Sequence, residues 1–188
     1  MIVTIDGPAG AGKSTIARQL ADTLGFSFLD TGAMYRAITL GAIRKQIDFS
    51  DKALLISYAQ TSTIEWKADR VLLNDDDVTQ EIRSPIVTDS IKHVADVTEI
   101  REALSEQQRR IAESQNIVTE GRDQGTDVFP HAECKIFLTA SPAERAQRRH
   151  QQLAELGRPI PLERILETQN RRDAEDRERP QGSLRPAD

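Results

Sequence analysis

Ile2-Val3-Thr4-Ile5-Asp6-Gly7-Pro8-Ala9-Gly10-Ala11-Gly12-Lys13-Ser14-Thr15 is the stretch on which the fold turns. Its first four residues are all β-branched, as suits a short strand, and Asp6-Gly7-Pro8 ends the run. Residues 7–14 then satisfy G-x-x-x-x-G-K-[ST] at every fixed position. Beyond them Ile16, Ala17, Leu20, Ala21 and Leu24 recur at helical spacing, which predicts a helix over 14–24 with Gly25 closing it. Strand, glycine-rich loop and helix in that order read as a phosphate-binding loop. Its glycines let backbone N–H groups turn inward without Cβ clashes, and the helix start adds its positive dipole end. Gly7, Pro8, Ala9, Gly10, Ala11, Gly12, Lys13, Ser14 and Thr15 are the candidate contacts for a nucleoside triphosphate. Lys13 would reach the terminal phosphates, and the Ser14 hydroxyl would sit on Mg²⁺. A tight turn that meets the pattern by chance would lack the flanking strand and helix.

Working outward, residues 26–29 predict a second strand and 33–44 a helix, with Asp30-Thr31-Gly32 between them. A further helix fits 51–60. Thr63-Ile64-Glu65-Trp66 and Arg70-Val71-Leu72-Leu73 flank Lys67-Ala68-Asp69 as an antiparallel hairpin, a β excursion that reads as an insertion. Residues 86–114 are helical in pattern, in two pieces that break at Val97-Thr98. Residues 117–119 and 135–138 predict compact strands of the buried, parallel type. Two strongly charged helices follow, over 143–157 and 162–178. Strands alternating with helices predict an α/β fold around a mostly parallel sheet.

At 188 residues the chain suits one domain with a small insertion. No apolar run approaches the roughly 18 residues that span a bilayer, and Met1-Ile2-Val3-Thr4 offers no basic leader. A single Cys134 excludes an internal disulfide or a multi-cysteine metal site, so the expected setting is the cytoplasm. His93, His131 and His150 share no ligand spacing. The net charge of −5 and an aromatic content of 4% argue against a nucleic-acid partner. Arg outnumbers Lys 19 to 6, and residues 158–188 hold seven Arg, no Lys and seven acids. A solvated, salt-bridged helix explains such a run. So does a set of guanidinium forks aimed at phosphate.

The phosphate-binding loop alone does not name a reaction. No N-K-x-D segment is present and no strand ends in D-x-x-G, which disfavours a switch GTPase. Three later constellations narrow the choice. They are Asp30-Thr31-Gly32-Ala33-Met34-Tyr35-Arg36, then Glu120-Gly121-Arg122-Asp123-Gln124-Gly125-Thr126 with Val128-Phe129-Pro130, and finally Arg172-Asp173-Ala174-Glu175-Asp176-Arg177-Glu178-Arg179. With the loop, and in this order from Ile2 onward, they resemble the bacterial cytidylate kinases.

The resemblance implies a three-layer P-loop NTPase fold. Its core would fall at about 1–30 and 115–142 with the C-terminal helices, an NMP-binding insertion at about 31–114 and a helical lid at about 143–180. It implies transfer of the γ-phosphoryl of ATP, with Mg²⁺, to CMP or dCMP in pyrimidine nucleotide metabolism. The catalytic set would be Lys13, Arg36, Arg122, Arg148 and Arg172. Arg36, Arg122 and Arg172 would hold the acceptor phosphate, with Thr31 beside it or the ribose. Arg101, Asp123 and Arg179 would read the cytosine edge, and Asp176 would bond the sugar hydroxyl. Arg148 would close over the donor phosphates, with Arg145 and Arg149 as neighbours able to take that place. Glu120 would reach Mg²⁺ through water. Small nucleotides are the implied partners, with no nucleic acid or membrane, and the protein is expected to act as a monomer.

Two departures accompany the resemblance. Lys92, in Lys92-His93-Val94-Ala95, stands where the family usually has a serine that helps to recognise cytosine. The family also continues beyond Pro186-Ala187-Asp188 into one more strand and a closing helix. The competing readings are a shikimate- or gluconate-type kinase and a non-catalytic nucleotide-binding protein. Along-helix pairs such as Arg172–Asp176 are the bland alternative to phosphate and sugar contacts for the last constellation.

Overall fold

From the N-terminus the chain runs through β1 (Ile2–Asp6), α1 (Lys13–Leu24), β2 (Ser27–Asp30), α2 (Thr31–Arg44) and α3 (Lys52–Thr61). Next come β3 (Ile64–Lys67), β4 (Arg70–Leu73), β5 (Asp76–Asp77), α4 (Pro85–Ser90), α5 (Lys92–Ala95) and α6 (Thr98–Ala112). The last elements are β6 (Ile117–Gly121), β7 (Cys134–Phe137), α7 (Pro142–Glu155) and α8 (Leu162–Glu178). This is a computed structural model, and it describes residues 1–67, 70–155 and 157–188, with the Lys67 side chain left aside. Two units emerge, one made of residues 1–29 and 114–188, the other of residues 30–113.

In the first unit β1 lies inside a four-stranded sheet of order β2-β6-β1-β7. It pairs in parallel with both β6 and β7. Val3, Ile5 and Val118 of the sheet pack with Ala17 and Ala21 of α1. Gly25 ends α1 in the left-handed conformation, at φ 67. The parallel register aligns Asp6 with Gly121. The phosphate-binding loop and the segment after β6 therefore leave adjacent strands at the same carboxyl edge, where open α/β sheets bind ligands. The α/β P-loop NTPase fold is thus in place around a parallel sheet. α7 and α8 pack on each other through Ala146, Leu153 and Ile165.

In the second unit the Asp30 carboxylate caps α2 by accepting the Ala33 N–H at 2.9 Å. A three-stranded antiparallel sheet, β3-β4-β5, follows α3. Gly41 of α2 meets Tyr58 of α3 and Leu73 of β4, and a Cβ there would overlap the tyrosine hydroxyl. Gly41→Ala is therefore expected to lower stability by about 1–3 kcal/mol, the usual cost of overpacking. Thermal unfolding checks it; an unchanged Tm would mean that α3 yields freely.

Several sequence expectations shift. The 86–114 stretch breaks before Thr98 as read, but also at Ile91. Ile91 keeps helical backbone angles (φ −56, ψ −30), so apolar spacing carries no sign of the second break. β5 was missed because two aspartates are poor strand formers; the turn before it uses Asn74 and Asp75 at φ 50 and 69. The hairpin strands form where expected, while Ala68 and Asp69 of its turn lie outside the described residues. β7 is parallel but not buried, since it ends the strand order and leaves Lys135 and Ile136 exposed. Cys134 begins it as a free, half-buried thiol.

Candidate active site

The phosphate-binding loop has the backbone its glycines permit. Gly7, Gly10 and Gly12 take φ of 150, 76 and 97, and a Cβ on Gly7 would run into the Leu138 carbonyl. α1 begins at Lys13 with no acidic residue of its own in its first turn, and Glu120 from β6 is the carboxylate that faces it. Lys13 is buried and its ammonium donates to the Pro8 carbonyl at 3.0 Å. It also lies 3.8 Å from Glu120 Oε2. The Ser14 hydroxyl donates to Glu120 Oε1 at 2.6 Å. Burial pulls the Lys13 pKa down to about 7, Arg122 and Arg172 add to this, and Glu120 and Asp6 resist it. A hydroxyl and a carboxylate side by side form an oxygen donor set of the kind that hard divalent cations take.

The segment after β6 supplies a second cluster. Arg122 Nε donates to Asp176 Oδ2 at 2.8 Å, and Arg179 Nη2 donates to Asp176 Oδ1 at 2.8 Å. Burial by itself would raise the Asp176 pKa; Arg122, Arg179 and Arg172 outweigh it and hold the carboxyl below its ordinary value. The along-helix alternative is thus partly realised: Arg179 bonds Asp176, and Arg172 also acts on that carboxylate. Arg122, however, comes from 54 residues away. Asp123 is buried next to it, and its backbone carbonyl accepts from the Asp127 and Val128 N–H groups.

Arg148 is exposed on α7, and a Cβ on Gly12 would come 3.9 Å from its Nη1, so the guanidinium lies over the loop. Its neighbours differ from it. Arg149 is exposed, whereas Arg145 is buried and bound to the Ala140 carbonyl (3.1 Å), the Ala9 carbonyl (2.9 Å) and Asp173 Oδ2 (2.7 Å). Arg145 therefore ties α7 and α8 to the loop and is not a free substitute for Arg148.

In the second unit Thr31 is buried at the start of α2. Arg36 Nη1 donates to Thr88 Oγ1 at 2.9 Å and to the Ile82 carbonyl at 3.3 Å. Arg101 is buried on α6, donates to the Ala95 carbonyl at 3.1 Å and lies over the Tyr35 ring at 5.4 Å. Lys92 is exposed.

The family model described as cytidylate kinase matches residues 3–188. A cytidylate kinase of Rhodopirellula baltica is 58% identical over 187 residues, covering 100% of this chain and 82% of that protein. Those of Caldanaerobacter subterraneus and Pelotomaculum thermopropionicum are 48% and 49% identical, over 93% and 98% of this chain and 78% and 84% of their own lengths. The chain belongs to the cytidylate kinase family.

As a member of the cytidylate kinase family it is a nucleotide kinase, a phosphotransferase on a P-loop scaffold. Among the described residues no helix is long and apolar enough to cross a membrane. Sequence reasoning missed two contributors to this kinase site. Asp6 read only as the end of a strand, yet its carboxylate holds the segment after β6. Arg145 read as a possible stand-in for Arg148, whereas it is bound to Asp173. An acid placed directly before the first loop glycine was the available signal for Asp6.

Proposed function

We propose that the protein transfers the γ-phosphoryl of ATP to CMP or dCMP, giving CDP or dCDP and ADP. The observation that carries this is the shared carboxyl edge of β1 and β6. It puts Lys13, Ser14 and Glu120 next to Arg122, Asp176 and Arg179. Gly7 to Thr15 bind ATP. Arg122 and Arg172 grip the acceptor phosphate, Asp123 and Arg179 face the base, and Asp176 meets the sugar hydroxyl. On the second unit Thr31, Arg36 and Arg101 are further contacts of the acceptor nucleotide. The protein works in the cytoplasm as a monomer.

The acceptor is itself an anionic phosphate oxygen, so no strong general base is needed. Charge neutralisation and in-line placement carry the rate instead. Planar guanidiniums suit this, since each can take two phosphate oxygens at once. Lys13 carries positive charge to the transferring group, and Arg148 adds it from α7. Ser14, with Glu120 through water, would hold Mg²⁺, which when bound supplies further neutralisation of the phosphates. Closure of α7 and α8 over the donor would exclude water as a competing acceptor.

A coupled assay with ATP and CMP, dCMP, UMP or AMP tests the reading. Turnover with the cytidine nucleotides is expected, and none with either would overturn it. Asp176→Ala is expected to shift the CMP to dCMP ratio of kcat/KM by roughly tenfold, the value of one charge-assisted hydrogen bond. An unaltered ratio would remove Asp176 from the sugar.

A further inference from the structure

Asp6 is buried at the end of β1, one residue before the phosphate-binding loop, and is 3% exposed. Its carboxylate reaches across to the segment after β6. Oδ1 accepts the Gln124 N–H at 2.8 Å, and Oδ2 accepts the Gly125 N–H at 2.7 Å. These two amides open the single π-turn of residues Gln124–Val128, so the carboxylate caps that turn. The close approach depends on glycine. A Cβ on Gly125 would stand 2.8 Å from Thr4 Oγ1 and 3.4 Å from Asp6 Oδ2. The same aspartate is held from its other side, where its backbone carbonyl accepts the Leu138 N–H at 2.7 Å. The turn is anchored a second time through Gln124, whose Oε1 accepts from the Thr119 hydroxyl at 2.9 Å.

We propose that Asp6 is a positioning residue for phosphoryl transfer, its carboxylate fixing the turn that directly follows Arg122 and Asp123 against the start of the phosphate-binding loop. The inference rests on the proposed transfer to a cytidine nucleotide and adds the device that sets the spacing between donor loop and acceptor clamp. Only a carboxylate suits both amides: each oxygen accepts one N–H, whereas an asparagine would turn an NH₂ group toward one of the two donors. The charge is not favoured by its surroundings for its own sake. Burial pushes the Asp6 pKa up to about 6, and nearby Asp123 adds to this, while the two amide bonds and Lys13 work against it. An ionised carboxylate kept in such a place at neutral pH weakens the fold relative to a protonated one. Its stability contribution is present below the ordinary carboxylate value and lost as pH rises through about 6.

The test uses the full chain with Asp6→Asn, Gly125→Ala and Thr4→Val. Asp6→Asn is expected to lower kcat/KM for CMP by roughly 10- to 100-fold, the cost of a small misplacement of reacting groups. The ATP dissociation constant, measured calorimetrically without acceptor, should stay near the wild-type value. Gly125→Ala keeps the carboxylate but pushes the amide away, and should reproduce the same split between acceptor kinetics and ATP binding. Thr4→Val alters packing against the same glycine and leaves both amide bonds, so its kinetics should match wild type. In amide NMR spectra of the free protein, the Gln124 and Gly125 resonances should move upfield and lose exchange protection in Asp6→Asn.

The inference is overturned by wild-type CMP kinetics in Asp6→Asn, or by an equal loss of ATP binding, which would place Asp6 in service of the loop alone. A matching defect in Thr4→Val would reduce the effect to packing and overturn it likewise. Should Asp6→Asn fail to fold, Gly125→Ala decides: wild-type CMP kinetics in it, or an equal loss of ATP binding, overturns the inference. A wild-type protein inactive toward cytidine nucleotides would defeat the proposed function, while the amide measurement would still report whether Asp6 holds the turn.

Discussion

Replacing Lys13 by Ala is expected to lower transfer to CMP by roughly 10³-fold, in the range found when a preorganised positive group is removed from a phosphoryl-transfer site. Lys13 is not a surface cation loosely drawn to phosphate. It is buried, bound to the Pro8 carbonyl at 3.0 Å, and 3.8 Å from the Glu120 carboxylate. Burial, with Arg122 and Arg172 nearby, lowers its pKa to about 7, so the protein alone holds this charge against resistance. An incoming triphosphate reverses the balance by adding negative charge beside it. The positive charge is then strongest when the phosphates are present, which suits a group whose work is done in the transition state. Lys13→Ala also leaves Glu120 buried without its ammonium neighbour, and some loss of Tm is expected from that. Lys13→Arg should not restore the rate, because a planar guanidinium presents its charge and donors differently from the compact ammonium that bonds the Pro8 carbonyl. Steady-state kinetics with CMP, together with thermal unfolding, check both parts. A Lys13→Ala protein within tenfold of wild-type kcat would remove Lys13 from the chemistry.

How much of this was legible beforehand depends on the range of the contacts involved. The loop from Gly7 to Ser14 named its own context, because a strand must enter it and a helix must leave it; both are present as β1 and α1. Helical spacing likewise located α8 at Leu162–Glu178, since charged faces still leave an apolar stripe to count. Neighbour choice was not legible. Arg145 and Arg148 lie three residues apart on α7, yet one is buried against Asp173 and the other lies over Gly12. Only the packing of α8 on α7 separates them. Asp176 shows the same limit. Local spacing offered Arg172 as a partner, but Arg122 also arrives from just after β6, and no periodicity reports a contact of that separation. Asp6 was obscured for a related reason, because its two partners are backbone amides and leave no side-chain signature. The exposure of β7 depends on strand order, which apolar runs do not encode.

Replacing Arg122 by Ala is expected to lower kcat/KM for CMP by roughly 10²-fold or more while ATP binding changes little, as befits a group that neutralises charge on the acceptor. Its position explains the asymmetry. Arg122 follows β6, its Nε is held by Asp176 at 2.8 Å, and Asp176 is held in turn by Arg179. The carboxylate fixes the plane of the guanidinium through one edge and leaves further N–H groups for a ligand. Arg122 nevertheless stands near enough to Lys13 to help lower the lysine pKa. One field thus acts on the donor's terminal phosphate and on the acceptor phosphate, so losing Arg122 weakens the clamp where the two meet. It also relieves Lys13 of a like charge, and the lysine pKa should rise in the variant. That second effect opposes any loss of ATP affinity, which is why donor binding is expected to hold while transfer falls. Arg122→Lys should recover only part of the rate, since an ammonium cannot keep the Asp176 bond and grip two phosphate oxygens in the same plane. ATP titration alongside CMP kinetics separates the two contributions. Unchanged transfer in Arg122→Ala would take the residue out of the site, and an equal fall in ATP affinity would assign it to the donor instead.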